Sequence, residues 1–371
     1  MADTPTPRGR ITVLIPAHNE QNMIGLAIES VQRQTCAPDE IVVIADNCTD
    51  STVDIARSYG VTVVETVGNQ HKKAGALNQV LDELLPRASD HDKVMVMDAD
   101  SFLDPNFIEV AREWLDRGDG KIYGGIGGTF RGRPAETPPR PGLRGILDRW
   151  VAFAQANEYA RYARDVERKR GRVLVLTGTA TLFNVAALRA VVAARAEGKL
   201  PSRGGAHVYD TEVLTEDNEL TFALRHVGWK VRSPRGCTLT TEVMPTWSQL
   251  YRQRLRWKRG AMENLRQYGL SRYTAEHWGY QIVGFLGIAA TSIYLISVIV
   301  CLILGTLHLY ALWIGVTIVF MVERTVTVRR RGWRSMLIAS TLFVEMIFDL
   351  FLQATHLKAL ADAATGRTAR W

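Results

Sequence analysis

Short β-branched runs alternate with helical stripes along the first hundred residues. Ile11 to Pro16 (ITVLIP) reads as a strand, and Ile24, Ala27, Ile28 and Val31 recur at helical spacing after a polar turn. The unit repeats, with Glu40 to Ala45 (EIVVIA) a strand, Ser51 to Tyr59 a helix, Val61 to Glu65 a strand, Lys73 to Leu85 a helix and Lys93 to Met97 a strand. Continuous apolar strands between helices predict a mostly parallel α/β sheet covered on both faces. Ligands of such sheets lie beyond the carboxyl ends of the strands, which gathers Ala17 to Glu20, Asp46 and Asp98 to Asp100 around one crevice. No G-x-G-x-x-G follows the first strand, so a dinucleotide-binding unit is disfavoured.

Further along, Leu143, Ile146, Leu147, Trp150, Val151, Phe153 and Ala154 form one stripe of a helix predicted over Gly142 to Arg170. Val173 to Phe183 (VLVLTGTATLF) has strand character broken by a Thr-Gly-Thr turn, Ala196 to Tyr209 reads as a loop, and a helix begins near Asn218. Beyond Gly279 apolar residues come in long blocks. Gly279 to Leu304 and Leu307 to Val322 are about long enough to cross a bilayer of roughly 30 Å at about 1.5 Å per residue. Ser335 to Leu357 is a third segment, but Glu345 and Asp349 share one of its helical faces and need protein or water beside them.

The expected organisation is therefore a polar N-terminus over residues 1–10, a catalytic α/β domain over 11–245 and an interfacial helical segment over 246–278. Two or three membrane helices come next over 279–357, with a tail over 358–371. Without a leading apolar segment, the first domain is expected to stay cytoplasmic on the inner membrane, with a multi-pass anchor behind it. The net charge of +7 gathers around 161–172, 252–259 and 324–334. Two of those clusters flank the apolar blocks, so membrane lipids explain them better than nucleic acid. Cys36, Cys48, Cys237 and Cys301 have no C-x-x-C spacing and indicate neither a zinc site nor a disulfide scaffold.

Asp98 and Asp100 end an apolar strand, where alternate carboxylates can converge on one Mg²⁺ or Mn²⁺ held together with substrate phosphates. Asp46 closes the second strand and can bond a base or ribose; the alternative is a helix cap, a role that Asp50 or Ser51 fits better. Asp217, in Thr215-Glu216-Asp217, is either a general base or a helix cap. In Gln253-Arg254-Leu255-Arg256-Trp257 an arginine can clamp a diphosphate and the indole can face a sugar.

PAHNE, ADNCTDST, KAGALN, MDADS, TGTATLF, TEDNELTFAL and QRLRW occur in this order between about Ile11 and Gly260. In that ordered set the chain resembles the family 2 glycosyltransferases, particularly the cellulose, chitin, hyaluronan and poly-N-acetylglucosamine synthases. The resemblance implies a Rossmann-like nucleotide-sugar fold of the GT-A type, a UDP-sugar donor and a saccharide or lipid-linked acceptor. It places Ala17 and Glu20 at the nucleotide, Asp46 on the uracil or ribose, and Lys73 and Asn78 beside the donor. Asp98 and Asp100 would hold the donor phosphates, Asp100 through the metal, and Asp217 would be the base. Thr177 and Gly178 would shape the acceptor site, while Gln253, Arg256 and Trp257 would bind diphosphate and acceptor sugar. One base without a carboxylate nucleophile implies inversion, the single-displacement logic of inverting glycosidases. The polymer synthases usually carry helices before the catalytic domain as well. With C-terminal spans alone, enclosing a polymer would require self-association or a partner membrane subunit.

Overall fold

The computed structural model describes residues 9–117, 122–135, 140–306, 308 and 311–365. The chain divides into two compact units, one of Met1–Pro138 with Tyr162–Val243 and one of Pro139–Arg161 with Met244–Trp371.

The first unit opens with β1 (Ile11–Ala17), α1 (Ile24–Gln32), β2 (Glu40–Ala45), α2 (Thr52–Ser58), β3 (Thr62–Glu65), α3 (Lys72–Arg87) and β4 (Lys93–Met97). It continues through β5 (Ser101–Leu103), α4 (Phe107–Leu115), β6 (Tyr123–Gly127), β7 (Thr129–Arg133) and α5 (Gly142–Arg168), a helix that runs on from residues of the second unit. β8 (Ala180–Asn184), α6 (Val185–Ala196), α7 (Glu216–His226), β9 (Lys230–Arg232) and β10 (Thr238–Glu242) complete it. Seven strands form one sheet in the order β3-β2-β1-β4-β8-β6-β9, and three form a second in the order β5-β10-β7. Ile11, Val13 and Ile15 are fully buried and so is Leu14 between them, so helices cover both faces of the sheet centre.

The large sheet is mixed. β1 pairs in parallel with β2 and β4, whereas β8 runs antiparallel to both β4 and β6. Only Ala180–Asn184 of the predicted Val173 to Phe183 run is strand. The residues before it satisfy their backbone through side chains instead of a ladder. Leu176 N donates to Thr221 Oγ1 at 3.0 Å, Gly178 N to Asp217 Oδ2 at 3.0 Å, and Thr181 Oγ1 to the Thr177 carbonyl at 2.8 Å.

The second unit holds α8 (Trp247–Tyr268), α9 (Ala275–Ile303), α10 (Ala311–Thr327), α11 (Trp333–Ser340) and α12 (Phe343–Thr365). Val151, Ala154, Leu250 and Phe348 make its small core, with Trp247 packed edge-on against Phe351 at 4.7 Å. Leu143, Ile146 and Leu147, at the start of the predicted stripe, are exposed, while Val151 and Ala154 are buried. The stripe therefore serves packing along only part of its length.

Of the three expected membrane spans, one meets the requirement among the described residues. α9 is 29 residues long and only 6% of its most apolar stretch is buried. α10 has 17 residues, roughly 26 Å at about 1.5 Å per rise, and takes in Glu323 and Arg324, so it falls short of a span. The third segment breaks into two helices bent by 73°. Several C-terminal transmembrane helices and a multi-pass anchor are thus not supported. Glu345 and Asp349 do meet protein. Arg161 and Arg324 each reach Glu345 at 2.8 Å, and Arg324 also pairs with Asp349.

In the first unit Arg195 Nη2 donates to Glu219 Oε2 at 2.6 Å, joining α6 to α7 with both side chains fully buried. Losing one partner of such a pair strands the other charge. Arg195→Met is expected to lower the unfolding free energy by about 3–5 kcal/mol in denaturant titrations monitored by circular dichroism, and adding Glu219→Leu should recover most of the loss.

Candidate functional site

The carboxyl ends of β1, β2 and β4 carry three of the acidic positions. Asp46 is buried just past β2, and its Oδ1 accepts from Thr66 Oγ1 at 2.8 Å and from Asn69 Nδ2 at 2.8 Å. Those bonds hold the carboxylate through Oδ1. The helix cap that Asp46 could have formed is Ser51 instead. Asn69 is itself held in a place that only glycine permits, because a Cβ on Gly75 would lie 2.1 Å from Asn69 Oδ1. The glycine of KAGALN thus positions Asp46 through Asn69. Backbone at positive φ recurs around this rim, at Asn19 (57°), Asn47 (49°) and Lys72 (52°), where non-glycine residues cost energy and occur mostly at turns and sites.

Past β4, Asp98 and Asp100 sit half-buried. Burial first, and then the charge of Asp98, push the Asp100 carboxyl up to about 6. Glu20 rises to about 7 through burial and the charges of Asp100, Glu242, Asp98 and Asp50. Glu242, at the end of β10, is a fourth carboxylate in this field that sequence reasoning missed. Arg133 lies 3.9 Å from it. Ala17 ends β1, and its carbonyl accepts from Asp46 N at 2.8 Å, so it shapes the rim through its backbone.

A small pocket opens beside these residues and is lined by Lys73, Thr177, Gly178, Tyr209, Glu216 and Asp217 among others. Lys73 Nζ donates to Asp98 Oδ1 at 2.5 Å and to the Gly178 carbonyl at 2.9 Å, and lies 3.9 Å from Glu216 Oε1. Burial opposes its charge, yet Asp98 and Glu216 hold it above the ordinary lysine value. On the far side, Asp217 accepts from Gly178 N and, through Oδ1, from Asn218 N at 2.8 Å. Burial and the Glu216 charge outweigh these bonds and lift Asp217 to about 6. Thr215 stands at the N-cap position of α7 without a side-chain cap hydrogen bond, and Asp217, in the first turn, lines the pocket. A Cβ on Gly178 would lie 3.1 Å from Asp217 Oδ2, which explains the glycine between the two threonines. Thr177 Oγ1 and Thr179 Oγ1 share a hydrogen bond of 2.6 Å.

Asn78 is placed differently from expectation. Its Nδ2 donates to the Tyr209 carbonyl at 2.8 Å and its Oδ1 accepts from Tyr209 N at 3.0 Å, which consumes the amide in pinning the segment ahead of α7 to α3. Gln253, Arg256 and Trp257 lie on α8, in the second unit. Arg256 is exposed. Within the same motif Arg254 is buried, its Nη2 reaching Glu158 Oε2 at 2.6 Å and its guanidinium lying 4.4 Å from the Trp257 ring centre. One face of that indole is therefore taken by a cation. Gln253 Oε1 is buried without a partner.

Asn78→Ala leaves two backbone groups of Tyr209 unpaired, at about 1–3 kcal/mol. Trypsin cleavage at the exposed Arg203 is expected to quicken several-fold under native conditions, with cleavage elsewhere unchanged.

Residues 7–260 match the family described as glycosyltransferase-like family 2. The probable glycosyltransferase YdaM of Bacillus subtilis (strain 168) is 27% identical over 260 residues, covering 68% of this chain and 55% of that protein. The 4,4'-diaponeurosporenoate glycosyltransferase of Staphylococcus aureus (strain USA300) is 41% identical over 63 residues, 17% of this chain and 16% of that one. The chain thus spans about half the length of the first of these relatives and less of the second. Mannosyltransferase PcManGT from Pyrobaculum calidifontis, solved in complex with GDP-Man and Mn²⁺, has a TM-score of 0.57 at 17% identity, over 98% of this chain and 89% of that one. That likeness identifies the mixed-sheet GT-A fold. With the family match extending over well more than half of its 371 residues, the chain belongs to the glycosyltransferase-like family 2.

Proposed function

We propose that the protein moves a sugar, N-acetylglucosamine or glucose, from a UDP-sugar to a hydroxyl of a saccharide acceptor, with inversion at the anomeric carbon. An α-linked donor then gives a β-linkage. The observation that carries this reading is the chain of hydrogen bonds from Asp98 to the Lys73 ammonium, from that ammonium to the Gly178 carbonyl, and from Gly178 N to Asp217, which supports a donor-side carboxylate placed next to a base.

In this reading Asp46 Oδ2 takes the uracil or ribose, Ala17 and Glu20 border the nucleotide, and Lys73 neighbours the donor phosphates. Thr177 and Gly178 border the acceptor. Gln253 and Arg256 are assigned to the diphosphate and Trp257 to the acceptor sugar on the resemblance alone. Asp217 accepts the proton of the attacking hydroxyl. Glu216 is the other carboxylate in the pocket, but it faces Lys73, so a single base remains.

Asp98 and Asp100, with Glu20 and Glu242 nearby, form an excess of negative charge suited to a divalent cation. Among the described residues no group of three or more His, Cys, Asp or Glu side chains is arranged to hold a metal. Mg²⁺ or Mn²⁺ would be held there by Asp98, Asp100 or both, with phosphates and water completing its oxygen shell. When bound, such an ion neutralises charge on the leaving diphosphate. The mannosyltransferase of like fold was solved with Mn²⁺, in agreement with that choice.

α9 would hold the protein at the inner membrane, with the first unit cytoplasmic. The same helix favours a second reading, a non-processive enzyme acting on a lipid-linked acceptor. Processive polymer synthesis would need self-association or a partner membrane subunit.

Three outcomes are expected. Asp217→Asn keeps UDP binding, read by calorimetry, and loses transfer by about 10²-fold or more; transfer at the normal rate removes the base assignment. Asp217 must be ionised to accept a proton, and with its carboxyl near 6 it is mostly protonated below that pH, so kcat at pH 5 should be about tenfold lower than at pH 7. Asp100→Ala, or chelation of divalent ions, weakens donor binding as well as transfer, and adding Mn²⁺ restores the wild type but not the variant.

A further inference from the structure

Lys73 occupies a position that donor binding alone does not account for. Its ammonium makes two short hydrogen bonds at once, one to Asp98 on the donor side and one to the carbonyl of Gly178. The same glycine donates its N–H to Asp217. A single residue thus accepts from the lysine through its carbonyl and donates to the base through its nitrogen. Gly178 also packs closely against α7, since a methyl group there would come to 3.1 Å of the Asp217 carboxylate. The neighbouring backbone is clamped to the same helix, because Leu176 N donates to Thr221 Oγ1, and Thr221 Oγ1 in turn donates to the Asp217 carbonyl at 2.7 Å.

We propose that Lys73 is a positioning residue for the base, holding Gly178 against Asp217 and setting the proton affinity of that carboxylate from the donor side of the site. This deepens the glycosyl-transfer reading and rests on Asp217 being its base. The mechanism is both mechanical and electrostatic. The lysine fixes the one N–H that the ionised Asp217 accepts from outside its own helix, and its positive charge favours the ionised form. Because the same ammonium is bonded to Asp98, a change in charge on the donor side alters how strongly it is drawn to Gly178 and Glu216. Donor binding and base strength are coupled through a single side chain.

Several elements present groups to Asp217. Glu216 lies beside it on α7, Lys73 comes from α3, Gly178 from the segment before β8, Tyr209 from the segment before α7, and Tyr162 from α5. Both phenols are raised by burial and remain neutral near pH 6, and Glu216 disfavours ionisation of Asp217. Lys73 is the only cation among these groups.

The test is the pH dependence of kcat at saturating donor and metal for full-length Lys73→Met, Lys73→Gln and Lys73→Arg. The methionine and glutamine variants are expected to move the acid limb upward by roughly one pH unit, because the favouring charge is gone. Arginine keeps the charge and should leave the limb within a few tenths of a unit of the wild type, whatever it does to the rate. Glutamine retains a donor for the Gly178 carbonyl, so it answers the question if the methionine variant does not fold. An unmoved acid limb in the uncharged variants, with only the donor KM raised, overturns the proposal and leaves Lys73 as a donor ligand. Asp217→Asn, run alongside, separates the two claims: a fully active Asn variant sinks the base assignment itself, whereas an inactive one with unmoved limbs in the lysine variants sinks only the role of Lys73.

Discussion

One half-buried cation organises the chemistry of the first unit. Lys73 has carboxylates at 2.5 Å and 3.9 Å and a carbonyl at 2.9 Å, and without it the charges of Asp98, Glu216 and the nearby Asp217 would stand unbalanced. Like charges in a partly desolvated space raise each other's proton affinity, and Asp100, Glu20 and Asp217 already show that pressure. The arrangement stays stable as long as cations offset it. The protein supplies one of them in Lys73, and a divalent ion arriving with the donor is a natural second.

The scaffold explains how such a site can be built from sequence-distant pieces. Parallel strands β1, β2 and β4 end on the same side, so the loops after them converge. β8 is inserted antiparallel between β4 and β6, which brings the residues just before it, Thr177 to Thr179, to that same end of the sheet beside Asp98. Asp98 N donates to the Thr179 carbonyl at 3.0 Å, which joins the turn after β4 to the segment that donates to Asp217. The reversal of one strand therefore brings the Asp98 turn and the Thr177 to Thr179 segment together.

Much of this was legible from pattern alone, for physical reasons. Apolar runs such as EIVVIA leave little choice but a buried strand, and β2 and β4 begin and end where the runs do. The segment Val173 to Thr179 misled because its composition suits a strand, while its backbone is satisfied by Thr221, Asp217 and other side chains that no local pattern reveals. Glu242 was missed because it enters on β10, whose neighbours β5 and β7 lie more than a hundred residues earlier. Arg254 did leave a signal, since it stands four residues after the buried Leu250 and so on the same helical face, whereas Arg256 falls on the exposed side. Counting apolar residues found α9 but overstated the rest of the C-terminal region, where α10 falls short of a span and the next stretch bends sharply.

The central claim is that one carboxylate, acting as a base and not as a nucleophile, serves the transfer. Proton NMR of the product, with α-linked UDP-N-acetylglucosamine and UDP-glucose as donors, reads the configuration of the new linkage. A β-linked product is expected from whichever donor is accepted. An α-linked product would mean retention, and with it a second displacement that the geometry around Lys73, Gly178 and Asp217 does not provide.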